Sequence, residues 1–79
     1  NPSVTFRYEI FLSSDVKIDI YNICGEKINS YHQQNLQSGI HDFHWTAISA
    51  SGATIPSGIY FYTIESNGIV KSKKLIFMK

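Results

Sequence analysis

The chain has 79 residues, 43% of them hydrophobic and 14% aromatic, with a formal net charge of +1. That length makes one small domain, and so short a chain buries only roughly 60% of its unfolded surface. A charge this close to zero argues against a nucleic-acid binder, which needs a concentrated basic excess. No apolar run of about 18 residues offers a membrane-spanning helix.

The start, Asn1-Pro2-Ser3-Val4, has neither the basic head nor the apolar stretch of a signal peptide, and reads as a piece beginning at a domain boundary. Val4, Phe6, Tyr8 and Ile10 then alternate with Thr5, Arg7 and Glu9, the period of a strand with one apolar face. Ser13-Ser14-Asp15 is turn chemistry. Val16, Ile18 and Ile20 alternate with Lys17 and Asp19 in a second strand, which runs through Tyr21 towards Ile23 until Gly25-Glu26 breaks it. Cys24, the single cysteine, excludes an internal disulfide and reads as a buried, inert thiol. Lys27 to Gln33 is a more polar third strand, with Ile28 its clearest inward residue. Residues 35–39 are loop, and Leu36 plugs the core from the rim. Ile40 to Thr46 is a fourth strand, with His41, Phe43 and Trp45 on one face and Asp42 and His44 on the other. The segment 47–58 is rich in turn residues, and Ala53-Thr54-Ile55 is a candidate short strand within it.

Residues 57–79 read as one terminal hairpin. Asn67-Gly68 suits a type I′ turn, in which both central residues need positive φ. Two-residue looping there sets Ser66 opposite Ile69, Ile64 opposite Lys71, Tyr62 opposite Lys73 and Tyr60 opposite Leu75. Lys71 and Lys73 then lie along apolar neighbours with their ammonium groups in water. The run Leu75-Ile76-Phe77-Met78 cannot point to one face, so this end is either covered on both sides or shifted by a bulge. No helical period appears, and six or seven short strands imply a small antiparallel sandwich or barrel.

Charge is unevenly spread. Residues 69–79 carry Lys71, Lys73, Lys74 and Lys79 and no acid, whereas residues 1–68 set three bases against six acids. The terminal strand is either a docking feature or an edge guarded by lysine against aggregation.

Chemistry is hard to find. His41 and His44 differ by three positions in a strand, so they face opposite ways and cannot share an ion. Asp15, Asp19 and Asp42 are scattered, without a calcium loop. The six acids fall mostly at outward positions and read as solvated faces. No nucleophile elbow, P-loop or dinucleotide fingerprint occurs. The expectation is no enzyme, no metal and no cofactor. Tyr8, Tyr21, Tyr31, Tyr60, Tyr62 and Trp45 resemble a sugar-stacking set in composition, but most fall at inward positions where core packing explains them.

Four blocks carry a family resemblance. Residues 16–28, from Val16 to Ile28 through Tyr21 and Gly25, are similar to the V-x-L-x-I-Y-D-x-x-G-x-x-V block of C-terminal sorting domains of type IX secretion cargo in Bacteroidetes-type bacteria. Leu36, Gly39, His41 and Trp45 resemble that family's second block. Ser51-Gly52 with residues 57–62, including Gly58, Tyr60, Phe61 and Tyr62, resembles the third, and residues 73–79 the closing one. The immunoglobulin-like domain of flagellar hook-capping proteins is similar too. Cys24 departs from a usual leucine, and Thr46-Ala47 from a usual Asp-Gly.

The resemblance implies an all-β, seven-stranded antiparallel immunoglobulin-like sandwich over residues 1–79, excised from the C-terminus of a larger secreted protein. It implies an address that takes cargo through the periplasm to the cell surface or medium. Its partners would be the outer-membrane translocon and attachment machinery, with the cargo domain N-terminal, and no nucleic acid or membrane insertion. Lys71, Lys73, Lys74 and Lys79 are then the expected recognition charges, with Leu75, Ile76, Phe77 and Met78 holding the strand in place. Gly25, Gly39, Gly58, Asn67 and Gly68 shape turns, and Trp45, Tyr60 and Tyr62 fill the core. The alternative is a non-catalytic accessory or spacer domain of a secreted hydrolase, with sugar binding as its most specific form.

Overall fold

The computed structural model describes residues 3–79. The Asn1-Pro2 turn opener expected from the sequence lies outside the described residues. Among the described residues six strands form: β1 Val4–Ile10, β2 Ser14–Tyr21, β3 Lys27–Leu36, β4 Gly39–Trp45, β5 Gly58–Ser66 and β6 Ile69–Phe77. They make two antiparallel sheets, one of order β1-β4 and one of order β3-β2-β5-β6. No helix appears among the described residues.

The core follows from period-two alternation. Phe6, Tyr8 and Ile10 of β1 meet Val16, Ile18 and Ile20 of β2 and Tyr60 and Tyr62 of β5, all buried. Phe6 stacks on Tyr62 with ring centroids 4.2 Å apart. Phe43 of β4 reaches Tyr31 of β3 at 4.9 Å, and the Tyr8 hydroxyl donates to Gln33 Oε1 across the layers at 2.7 Å. The small sheet therefore lies over β3, β2 and β5.

The terminal hairpin has the register that its turn dictates, with Ser66 opposite Ile69, Ile64 opposite Lys71, Tyr62 opposite Lys73 and Tyr60 opposite Leu75. Asn67 and Gly68 have φ of 53° and 77°, as a type I′ turn requires. In β3 a register shift between Ile20 and Tyr21 leaves Ile28 between paired positions. Such a bulge re-aims a side chain, and Ile28 packs half-buried on the core.

Five expectations need correction. The seventh strand does not form, because Ala53-Thr54-Ile55 makes only the single bridge from Thr54 to Ile48. The last strand is neither covered on both sides nor bulged: pairing with β5 runs unbroken from Ile69 to Phe77, and Ile76 and Met78 are 63% and 77% exposed. Only Leu75 and Phe77 hold β6 in the sandwich. Cys24 is exposed, since β2 stops at Tyr21 and Asn22 organises the next turn. Its Oδ1 accepts from the Cys24 amide at 2.9 Å and from the Glu26 amide at 3.0 Å, which lifts residues 23–25 off the core. Asp19 is not solvated but buried, accepting from Ser30 Oγ at 2.6 Å with Lys17 Nζ 3.6 Å away and Lys27 Nζ 3.7 Å away. Leu36 closes β3 rather than sitting in a loop, but it does pack on the core.

The Thr46-Ala47 departure has a physical meaning. Ala47 is buried with φ of 61°, a left-handed conformation that glycine adopts freely and that costs an L-residue about 1–2 kcal/mol.

On the outside of the small sheet, Arg7 donates to Asp42 from Nε at 2.9 Å and from Nη2 at 3.3 Å. Hydrogen bonding from Arg7 holds the Asp42 carboxyl below its ordinary value. A depressed carboxylate pKa means stabilisation that is complete above the unfolded value and fades as pH falls through the folded one. The Asp42 carboxyl carbon, followed by NMR, is expected to titrate at a lower pH than a free aspartate and to move up in Arg7→Ala. An unchanged midpoint in Arg7→Ala would sever the link.

Candidate functional site

The four-stranded sheet has two edges, and they are treated differently. The loop after β4 lies against β3: the Ala50 amide donates to the Ile28 carbonyl at 2.8 Å, and Asn29 Nδ2 donates to the Ile48 carbonyl at 2.9 Å. On the far side, β6 pairs only with β5. Its other edge has no backbone partner among the described residues. That is the edge on which the lysines sit.

Those lysines do not form one patch. Strand parity puts Lys71 and Lys73 on the side that Leu75 and Phe77 bury, and Lys74 on the opposite, outward side. Lys79 follows the strand, where its amide donates to Ser57 Oγ at 3.0 Å. None of the four forms an ion pair among the described residues, where the pairs are Arg7–Asp42, Lys17–Asp19 and Lys27–Asp19.

Because the small sheet stops short of β6, the inner side of that strand opens into a groove of about 270 Å³. Residues 7–12 form one wall, Tyr62 and Ile64 lie at its base, and Ile69, Lys71 and Lys73 close it from β6. Asn67 Nδ2 donates to the Leu12 carbonyl at 3.1 Å and ties the hairpin turn to the β1–β2 connection at one end. Burial raises the Tyr62 phenol above its ordinary value. The groove was not legible in the sequence, which does not say how far one sheet overlaps the other. Its one signal was parity: the turn register already sets Lys71 and Lys73 on the same face as Leu75.

On the outer face of the same sheet, Ile59 and Phe61 are partly exposed beside Ile76 and Lys74, with which they pair. The aromatics that a sugar platform would need are not on this face. Trp45, Tyr60 and Tyr62 are 1%, 5% and 8% exposed, the Trp45 indole donates to the Ile48 carbonyl at 3.2 Å, and the Tyr60 hydroxyl to the Pro56 carbonyl at 2.6 Å. Buried rings cannot stack on a sugar. Gly25 adopts φ of 84° in the turn between β2 and β3, Gly39 opens β4 with φ of 132°, and Gly58 opens β5. His41 Nε2 contacts the Gln37 carbonyl and His44 Nδ1 contacts Thr5 Oγ1, on opposite faces of β4.

Among curated proteins and solved structures, none matches the chain. A family model described as the CHU_C type IX secretion signal domain matches residues 4–78, from the first residue of β1 to the residue after β6. The match covers both sheets, so the two-layer sandwich and its basic edge strand are the family's domain and not an appendage to it. A domain of this kind works with the type IX machinery on behalf of an N-terminal cargo, and the protein that carries it is secreted or displayed on the cell surface. The chain belongs to the type IX secretion signal domain family and is a C-terminal sorting signal for secretion by that system.

Proposed function

We propose that the sorting signal is read on β6, by the outer-membrane translocon and attachment machinery, after the cargo has reached the periplasm. The observation that carries this reading is the basic edge of the sheet: among the described residues β6 has one strand partner, and residues 69–79 carry four lysines and no acid. Edge strands offer unpaired backbone groups to an incoming strand, while flanking side chains set specificity. Lys71, Lys73, Lys74 and Lys79 supply the charge that a receptor recognises, and Leu75 and Phe77 hold the strand in register. The domain, residues 1–79, is one unit cut from the C-terminus of a larger secreted protein. It performs no catalysis itself, needs no cofactor, binds no nucleic acid and does not insert in the membrane.

The test is an export assay. The chain is fused behind a periplasm-directed fluorescent protein in a type IX-competent bacterium. The wild-type fusion is expected at the surface or in the medium. Replacing Lys71, Lys73, Lys74 and Lys79 together by glutamate is expected to cut that signal at least about tenfold. All four are exposed, so circular dichroism of the purified variant should stay that of the folded domain. Normal export of a folded variant would show that the address lies off β6.

A further inference from the structure

We propose that the groove between β1 and β6 is a docking site for an extended acidic strand of the secretion machinery, one that alternates apolar side chains with carboxylates. Who brings the strand rests on the reading of β6 as the recognised edge; the chemistry of the site does not.

Three observations converge on this occupant. The groove is flanked by two strands that each pair on one side only, β1 with β4 and β6 with β5. A strand lying between them would find unpaired backbone along a wall. The lining is mainly apolar, with Ile10, Tyr62 and Ile64 inside and exposed Phe11, Leu12 and Ile69 at the mouth. At about 270 Å³ it falls below the usual range for a small-molecule pocket and suits a few side chains of a peptide.

Charge then selects the peptide. Lys71 and Lys73 face the groove without an ion-pair partner among the described residues. Of the other charged groups that line it, Arg7 is engaged by Asp42, and Glu9 is the single carboxylate. The open balance is basic. Carboxylates on alternate positions of an incoming strand would meet Lys71 and Lys73, which are two residues apart on one face. Its apolar residues, which point to the other side of the strand, would meet the exposed Phe11 and Leu12 at the mouth.

Titrating the ¹⁵N-labelled 79-residue chain with a blocked nine-residue peptide that alternates valine with glutamate tests the site. Amide shifts are expected at residues 7–12, Tyr62, Ile64 and 71–73. Lys71→Glu with Lys73→Glu, or Lys71→Gln with Lys73→Gln as the milder pair, should weaken binding at least about tenfold. Lys74→Glu, on the same strand but the opposite face, should change it less than about twofold. A peptide with lysine in place of glutamate should not bind.

The proposal is overturned if shifts gather on Ile59, Phe61 and Ile76, if Lys74→Glu is equally damaging, or if no shifts occur up to millimolar peptide. Concentration-dependent shifts of the chain alone at the groove would make a second copy the occupant and overturn it too. Running the same variants through the export assay separates the two readings. Peptide binding lost with export intact leaves a strand-binding groove that is not the address and defeats its link to the machinery. Export lost with peptide binding intact defeats the groove as the part of β6 that is read.

Discussion

Trp45→Ala is expected to lower the stability of the domain by about 3–5 kcal/mol, the usual loss when a buried aromatic is truncated. The ring is 1% exposed, sits 6.2 Å from Phe6 and fixes the loop after β4 through its bond to the Ile48 carbonyl. A domain of 79 residues has about 4–12 kcal/mol of stability in all, so the loss takes between a quarter and the whole. Urea unfolding followed by far-ultraviolet circular dichroism measures it; Trp45 is the only tryptophan, so tryptophan fluorescence would vanish with the residue. Trp45→Phe is expected to cost less. It keeps most of the buried surface, and the Ile48 carbonyl it abandons still accepts from Asn29, leaving the loss of one hydrogen bond, about 1 kcal/mol. A loss below about 1 kcal/mol in Trp45→Ala would mean that the sandwich is not built around this ring.

A chain ended after Lys74 is expected to be unfolded at 25 °C. It loses Leu75 and Phe77, both buried, and strips β5 of its partners at Gly58, Ile59 and Tyr60. Truncating a buried leucine to alanine alone costs about 2–5 kcal/mol, and a phenylalanine about 3–5. The sum reaches the whole stability of a domain this small. Circular dichroism and amide dispersion of the shortened chain decide it, and a cooperative unfolding transition like that of the full chain would refute it. The consequence for sorting is direct. Loss of export on such a truncation does not separate a missing address from a missing fold, whereas exposed lysine substitutions do.

The terminal hairpin was legible in the sequence because two residues, Asn67 and Gly68, determine a turn, and a turn determines every pair below it. The inward faces of β1, β2 and β4 were legible because alternation is a local property. The partner of each strand was not. Nothing local to Val4 says that it meets Trp45 rather than a residue of β2. Ile76 and Met78 looked like core because apolar composition does not reveal how many faces of a strand are covered. Cys24 looked buried because its apolar neighbour Ile23 outweighed the turn-forming side chain of Asn22. The lysines were read as one group because adjacency in sequence hides that a strand sends alternate residues to opposite sides.

The pairing pattern also sets a clock. β1 must find β4 some forty residues along at its far end, and β2 must find β5 fifty residues away, as in Val4 with Trp45 and Val16 with Ser66. Folds closed by contacts so distant in sequence form in roughly milliseconds to seconds rather than microseconds. β6 adds the final two buried residues to this slow assembly. A newly made chain therefore passes through an interval in which all its strands exist as sequence and none yet as a surface. During that interval the β6 edge that we propose as the address does not yet exist.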